Sequence, residues 1–305
     1  MQHIGRSVVA MLVLAGASSR PTAAQQATGT TLWRVAGTTL ATPPALAVGP
    51  AAALWNPAQT ADTARVMLAF EAIQTPSAVD ASGMIATARV QAGRLGQIGV
   101  IFGRVGLSDI TQTLDSPDPT GTTVPVYTLA LGATWSRVLG ATSVGATVAF
   151  HQTRLDAERS ERVTLDVGAR RPLLGDRFHV ALATHFFSSF KTTDPAQDIY
   201  AGADARLWSG LYSTERAVIR ARYGVSFAHG FAADQQFGLG AELGKSLAFD
   251  VMLAREGGYG NDAAGWRPVA GLRVGIGKYR ITLARDAGVN DLGSAYRVGV
   301  DARLR

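Results

Sequence analysis

The segment YRVGVDARLR, residues 296–305, alternates between apolar and polar or charged residues up to its last position. One set of alternate positions holds Tyr296, Val298, Val300, Ala302 and Leu304, and the other holds Arg297, Gly299, Asp301, Arg303 and Arg305. Successive side chains of a β-strand point to opposite faces, so the segment predicts a strand with one apolar and one ionic face.

The same alternation recurs along most of the chain after residue 60. We predict about 14 strands from it. They lie at roughly 64–73, 83–92, 95–106, 122–136, 142–156, 160–171, 176–187, 198–208, 215–228, 236–245, 246–256, 266–277, 278–286 and 294–305. Most reach the ~9–11 residues that cross a bilayer at a tilt.

The linkers between these strands alternate in length. Those after odd-numbered strands are long, as at 108–121, 188–197 and 257–265, and most of those after even-numbered strands are short, as at 93–94, 245–246 and 277–278. Long loops on one rim, short turns on the other and an even strand count are typical of an outer-membrane barrel with both termini in the periplasm. The sequence therefore predicts an all-β protein, a transmembrane antiparallel β-barrel. A soluble periplasmic β-protein is the alternative fold, because a two-sheet sandwich also alternates.

Composition narrows the function classes. A net charge of +6 could indicate a protein that binds nucleic acid. The basic residues are scattered singly and form no cluster, so we predict no nucleic-acid partner. The chain has no cysteine, which excludes disulfides and thiolate metal sites. No G-x-S-x-G motif occurs, and we predict no enzymatic activity and no cofactor.

The beginning of the chain predicts a secretory signal. Arg6 precedes an apolar run at 8–17, shorter than the ~20 residues of a spanning helix. With cleavage after Ala24, residues 1–24 are the signal peptide, 25–60 an N-terminal segment or plug, and 61–305 the barrel. The expected location is the outer membrane of a Gram-negative-type bacterium.

Trp55, Asn56, Pro57 and Ala58 form a predicted turn just before the first strand. Pro57 cannot donate a backbone hydrogen bond, and it disfavours the helical region for Asn56. The preceding residues 41–53 are mostly small and show no clean strand pattern. They would fit inside or beneath a barrel.

The WNPA tetrapeptide, after its small-residue segment, resembles the amino-terminal region of the long-chain fatty-acid transporter (FadL) superfamily. The segment RVTLDVGARRP, residues 162–172, is similar to a strand with an internal Asp-x-Gly in the PorV/PorQ-like branch of that superfamily. The resemblance implies about 14 strands, a transmembrane barrel with a short N-terminal plug segment, and one of two roles. These are uptake of hydrophobic compounds, or a part in secretion and surface attachment of proteins.

Charged residues on the polar face of the strands are the candidate lumen groups. They are Asp166, Arg220, Arg222, Glu242, Asp250, Arg273, Arg280, Arg297, Asp301 and Arg303. The arginines could form a basic track for anionic groups. Pairing with the acidic residues and Asp204 across neighbouring strands is the favoured interpretation, since a narrow lumen must neutralise its own charges.

Histidines and aromatic residues receive structural interpretations. His151, His179 and His185 fall on polar faces, but their spacing demands no metal site, so we predict hydrogen bonding in the lumen and no metal. Aromatic residues close to strand ends predict an interface girdle: Trp55, Trp135, Trp208, Trp266, Tyr127, Tyr279 and Tyr296.

The leading functional hypothesis is passage of small hydrophobic or amphipathic molecules across the outer membrane, gated by the plug and the charged lumen. The alternative is a PorV-like accessory scaffold for protein secretion or surface attachment, with the long loops as the partner surface. Expected partners are outer-membrane lipid, a hydrophobic small-molecule ligand in the first case, and secretion-system proteins in the second.

Overall fold

The computed structural model describes residues 32–34, 36–37, 39–48, 52–60, 64–76, 80–108, 110–113, 119–185, 198–228, 233–256, 265–288 and 293–304. The predicted signal peptide, residues 1–24, and Arg305 lie outside them. In the described part of the chain, none of the helices is both long and apolar enough to span a membrane.

Sixteen strands carry most of the described chain. They are β1 (Val66–Gln74), β2 (Ala81–Gln91), β3 (Gln97–Leu107), β4 (Thr111–Thr113), β5 (Pro119–Thr123), β6 (Val126–Leu139), β7 (Thr142–Leu155), β8 (Glu158–Leu173), β9 (Phe178–His185), β10 (Asp198–Tyr212), β11 (Glu215–Ala228), β12 (Asp234–Leu243), β13 (Leu247–Glu256), β14 (Gly265–Ile276), β15 (Tyr279–Asp286) and β16 (Ala295–Leu304). All except β4 and β5, which form a separate two-stranded sheet, belong to one closed barrel.

The barrel closes where the first strand meets the last. β1 pairs antiparallel with β2 on one side and with β16 on the other, from Val66 opposite Leu304 to Gln74 opposite Tyr296. Closure satisfies every strand edge internally, as a spanning sheet requires in lipid. The predicted antiparallel barrel of about 14 strands is confirmed.

The alternation places apolar side chains on the outer surface. In β1, Leu68 and Phe70 point outward and are each 48% exposed, whereas Met67 and Glu71 point inward and are buried. Along β16, Val298 points outward in the same way. The outside of the barrel is therefore suited to lipid, and the ionic face predicted for this last strand lines the lumen at Arg297, Asp301 and Arg303.

Strand ends differ from the prediction in two places. The linker at 108–121, predicted to be a loop, contains the small hairpin β4–β5. The connection between β7 and β8 departs from the predicted alternation of linker lengths: it follows an odd-numbered strand but is a tight turn, because the ladder continues to Leu155 opposite Glu158. Asp156 in this turn has φ 54, a left-handed conformation that Asp tolerates better than most residues.

The chain before β1 forms short turns and not a strand. A 3-10 turn covers Pro44–Leu46, a single helical turn Ala52–Trp55, and a second 3-10 turn Pro57–Thr60. Prolines break this segment into pieces, because each removes a backbone donor and fixes φ. We call the described residues 32–60 the plug segment, since they pack against the inner wall of the barrel. The boundaries given above for the signal, plug and barrel stay predictions.

Candidate functional site: the plugged lumen

Asn56 organises the predicted turn from its centre. Its Nδ2 donates to the carbonyl oxygen of Ala45 at 2.6 Å, and its Oδ1 accepts from the backbone N–H of Ala58 at 3.0 Å. Gln59 donates to the same Ala45 oxygen at 2.9 Å. The Asn56 side chain is completely buried, so these bonds satisfy polar groups that water cannot reach.

Two glycines of the wall receive this turn. Gly145 on β7 lies directly opposite Gly168 on β8. A Cβ built on Gly168 would collide with Oδ1 of Asn56, and one built on Gly145 would stand 2.7 Å from the backbone nitrogen of Ala58. We call Gly145 and Gly168 the glycine slot. The two segments that carried the family resemblance, WNPA and the strand with Asp-x-Gly, therefore meet in space.

Two tryptophans fill the lumen beside the slot. Trp33 packs over Gly103 of β3, where an added Cβ would stand 2.5 Å from the ring. The ring of Trp55 lies 5.0 Å from that of His185, centroid to centroid. Trp33 is 1% exposed and Trp55 2% exposed. The prediction of Trp55 in an interface girdle is therefore wrong, because the tetrapeptide folds inward. Trp135, Trp208, Trp266, Tyr279 and Tyr296 do lie on the outer surface.

A charged pair joins the plug segment to the wall near the long-loop rim. Arg34 Nη2 lies 2.8 Å from Oδ1 of Asp198, the first residue of β10. The other oxygen of Asp198 accepts from the hydroxyl of Tyr200 at 3.1 Å, and that hydroxyl is 3.3 Å from Nδ1 of His185. The Arg34 side chain is 28% exposed and that of Asp198 4%, so the pair is partly open to solvent.

A second anchor sits on the closing strands. Arg297 of β16 pairs through Nη1 with Oε2 of Glu71 on β1 at 2.6 Å. Its Nε donates to Oγ1 of Thr39 at 3.0 Å, and its Nη2 donates to the carbonyl of Ala36. Each ion of the pair is about 2% exposed. One arginine thus ties the first and last strands to each other and to the plug segment.

A group of paired charges lies on the inner wall of β10 to β14, near the middle of β10 and β11 and in the halves of β12 to β14 nearest the short turns. Arg222 occupies its centre, with Nε 3.1 Å from Oδ2 of Asp204, a close pair with Asp250, and Nη2 3.6 Å from Oε1 of Glu242. Arg220 Nη1 lies 2.6 Å from Oδ1 of Asp204. Arg222 is 8% exposed. These charges compensate one another across neighbouring strands.

Arg273 extends the group along the wall. Its Nη2 lies 3.2 Å from Oδ2 of Asp250 and 3.8 Å from Oε1 of Glu242. We call Asp204, Arg220, Arg222, Glu242, Asp250 and Arg273 the wall ion network. A buried charge is costly without a partner, and here each arginine has at least one. The geometry favours mutual neutralisation over an open basic track.

The other predicted lumen charges also lie on the inner face. Arg303 Nε is 3.4 Å from Oδ1 of Asp301 on the same strand. Arg280 is half-buried and lines a cavity of about 140 Å³ beside Arg273 and Glu242. Asp166 is 2% exposed.

Each of the three histidines predicted to lie in the lumen has a polar partner of its own. His151 Nε2 lies 2.9 Å from Oγ1 of Thr164, His185 contacts Tyr200, and His179 Nε2 lies 3.0 Å from Asp176. Among the residues described, no group of three or more acidic or histidine side chains is placed to hold a metal ion.

The sequence prediction missed several lumen groups: Trp33, Arg34, Glu71, Gly145, Gly168, Asp198 and Tyr200. Glu71 carried a usable signal, because it is a carboxylate in an otherwise apolar strand, on the face that the alternation turns inward. Asp198 could have been found in the same way at the start of β10. Gly168 lies in the segment with Asp-x-Gly, but the sequence does not show that it faces Asn56, and Gly145 carried no signal among the 34 glycines of the chain.

No family model and no curated protein matches the chain. It is similar to the solved outer-membrane protein Omp33 of Acinetobacter baumannii, with 10% identity and a TM-score of 0.46, over 79% of this chain and 98% of that one. It is also similar to the P. putida toluene transporter TodX, with 11% identity and a TM-score of 0.49, over 83% of this chain and 92% of that one. The Ralstonia pickettii toluene transporter TbuX has 12% identity and a TM-score of 0.49, over 85% of this chain and 94% of that one. The barrel itself is established by the strand pairing of this chain.

Proposed function

We propose that the protein is a plugged outer-membrane barrel through which small hydrophobic or amphipathic molecules pass. Passage is gated by movement of the plug segment within the lumen. The proposal includes no chemical step and no cofactor, so the chain acts as a passage and not as an enzyme.

The apolar wall around the plug segment carries this proposal. The inner faces of β1, β2, β3 and β6 present apolar side chains at Ile73, Ile85, Ile101, Val105, Val126 and Ala130. Each is at most 5% exposed and belongs to one buried cluster with Trp33, Leu54 and Trp55 of the plug segment. The lumen of a water-filled porin is polar. If the plug segment moves aside here, the wall that it uncovers favours apolar solutes over hydrated ones.

The plug segment is held by contacts that can be undone. No disulfide joins it to the wall, since the chain has no cysteine. The contacts described are apolar packing against the wall, packing into glycine positions, the Arg34–Asp198 pair and the bonds of Arg297. The wall ion network, in contrast, joins strand to strand. The segment can therefore shift without opening the barrel.

A disulfide lock tests the proposal. Ala45 of the plug segment faces Gly202 of β10, where an ideal Cβ would lie 3.2 Å from the Ala45 Cβ. Disulfides typically need about 3.5–4.5 Å between these atoms, and the Gly202 Cβ would also stand 2.8 Å from Cγ of Leu46. A small shift of the plug segment away from the wall at both residues would allow Ala45→Cys and Gly202→Cys to bond. Cells with the chain in their outer membrane are exposed to N-phenyl-1-naphthylamine, an apolar fluorophore that brightens once it passes the outer leaflet.

We expect the reduced double variant to take up the fluorophore and to lose this uptake on oxidation. Uptake by each single-cysteine variant should not change when the oxidant is added. Hydrolysis of a hydrophilic β-lactam in the periplasm should stay at the background of cells without the chain. Equal fluorophore uptake by the locked and reduced forms would refute gating by the plug segment. Faster β-lactam entry would refute the apolar selectivity.

The accessory-scaffold hypothesis and the PorV/PorQ-like assignment stay predictions. They require long-loop residues as the partner surface, and much of 108–121 and 257–265 lies outside the described residues. Deleting either loop should abolish a partner complex while leaving fluorophore uptake intact. The two roles therefore respond to different changes.

A further inference from the structure

An apolar groove of about 570 Å³ runs along the outer wall over β11 to β15. Phe237 on β12 and Leu253 on β13 lie opposite each other, and the small outward residues Ala221 on β11 and Pro268 and Ala270 on β14 lie to either side of them. This difference in size creates the depression. Its volume falls within the ~300–1,000 Å³ of ordinary ligand sites. Since it opens on the lipid-facing surface, the groove is separate from the lumen.

Two arginines stand at the long-loop end of this groove. Arg285 lines it directly and is the second-to-last residue of β15. Arg255 is the second-to-last residue of β13, next in line after outward-facing Leu253. Both strands end at the same rim, but Arg255 lies opposite Trp266 and Arg285 lies opposite Ala270, four residues further from the rim along β14. The two arginines are therefore two strands apart around the wall and about 13 Å apart along β14.

An exposed aromatic side chain lies beside each of the two arginines and marks a membrane interface. Arg255 lies opposite Trp266, and Arg285 lies opposite Tyr296. Trp266 is 54% exposed and Tyr296 50% exposed on the outer surface. Tryptophan and tyrosine gather where lipid headgroups meet the hydrocarbon, so both guanidinium groups lie at the level of the headgroups.

The charge at this interface is of one sign. Among the described outward positions in the long-loop half of β12 to β15, the charged residues are Arg255 and Arg285. The nearby carboxylate of Asp286 points inward, where it pairs with Arg267. Arg285 is oriented by bonds from Nε and Nη2 to Oγ of Ser294 at 3.1 and 3.0 Å. An apolar groove below two cations complements a lipid with acyl chains and an anionic headgroup.

We propose that this groove binds a lipid of the outer leaflet whose headgroup carries phosphate. The acyl chain lies between Phe237, Leu253 and Ala270, and the phosphate groups lie on Arg255 and Arg285. Guanidinium groups bind phosphate through paired hydrogen bonds. The separation of the two arginines suits a headgroup with two phosphates, such as that of lipid A. This site needs the membrane position of the barrel, but it does not depend on passage through the lumen.

The test uses the full chain in detergent and two probes with the same acyl chains, bisphosphorylated and monophosphorylated lipid A. Native mass spectrometry measures the affinity for each. We expect the wild type to bind the bisphosphorylated form about tenfold more tightly. Arg255→Gln combined with Arg285→Gln should abolish that preference. Arg137→Gln, an exposed outward arginine near the short-turn end of β6, is the matched control and should keep it.

Ala270→Trp tests the groove separately from the charges. The larger side chain should fill the depression and lower the affinity for both probes. Faster migration of the unboiled chain on a gel shows that each variant is a closed barrel, and Ala270→Leu replaces the tryptophan variant if that fails. The proposal is overturned if the double variant keeps its preference, if Arg137→Gln loses it equally, or if filling the groove changes neither affinity.

Discussion

The glycine slot and the wall ion network both lie on the inner wall, but they hold different things. At the slot, an uncharged turn fits into space left by Gly145 and Gly168. In the network, buried charges such as Arg222 and Asp250 join one strand to the next. The glycine slot attaches the plug segment to the wall, whereas the wall ion network attaches neighbouring strands of the wall to one another.

This difference separates gating from barrel stability. Breaking an uncharged packing contact such as that at the glycine slot costs little free energy. Separating buried ions costs more, because each charge is then left without compensation. We therefore expect changes at the slot to release the plug segment while the barrel stays closed. Changes in the network should open the barrel before they affect the plug segment. Labelling of an added Ala53→Cys reports the plug, and loss of the fast-migrating band on unboiled gels reports the barrel.

Arg222→Leu should have the largest effect. It removes the arginine that Asp204 and Asp250 share and leaves three carboxylates with two arginines, Arg220 and Arg273, in the wall ion network. Because one buried negative charge is then uncompensated, we expect the free energy of barrel unfolding to fall by about 3–5 kcal/mol. Urea titration followed by unboiled gels measures this change. Below the transition, labelling at Ala53→Cys should stay as slow as in the parent.

Arg206→Leu is the matched control for that variant. Arg206 pairs with Asp176 at 3.2 Å, but the Asp176 side chain is 58% exposed. We expect a loss of at most about 1 kcal/mol, as for pairs open to water. A loss equal to that of Arg222→Leu would contradict the role given to burial in the wall ion network.

Gly168→Ala should affect the plug segment instead. Its Cβ would collide with Oδ1 of Asn56, and we expect overpacking of about 1–3 kcal/mol to be relieved by release of the turn. Ala53→Cys should then label faster, with the gel transition nearly unchanged. At Gly238, also on the inner wall, the nearest atom to an added Cβ is 3.4 Å away. Gly238→Ala should leave labelling slow, and fast labelling in both variants would remove the case for the slot.

Asn56→Ala sharpens the comparison with a smaller change. It removes the bonds to Ala45 and Ala58 but leaves the space of the slot intact, so we expect a cost of about 1–2 kcal/mol. Asn56→Asp keeps the acceptor for Ala58 and loses the donor to Ala45. The added cysteine at Ala53→Cys should be labelled more slowly in the parent than in either Asn56 variant. If Asn56→Ala is labelled at the same rate as the parent, shape alone holds the turn.

The two regions also differ in how far the sequence could predict them. Alternation predicts the face on which Arg222 and Asp250 lie, because a period of two depends only on neighbouring residues. It does not predict which glycine receives which side chain. The contact between Asn56 and Gly168 depends on barrel closure and on strand register, and both are set by the whole chain. The inward fold of Trp55 was missed for the same reason, since strand-end aromatics ordinarily lie at the interface.

Arg34→Gln should have the smallest effect on the plug segment, because the Arg34 side chain is 28% exposed beside Asp198. Partly solvated pairs contribute about 0.2–1 kcal/mol and weaken as salt screens them. Labelling at Ala53→Cys should therefore rise slightly in Arg34→Gln, and raising the salt concentration should bring the parent close to the variant. A double-mutant cycle with Asp198→Asn isolates the contribution of the pair. We expect the two substitutions together to raise the labelling rate little more than either one alone. Additive effects would mean that Arg34 and Asp198 act on the plug segment through separate contacts, leaving its attachment to shape and to Arg297.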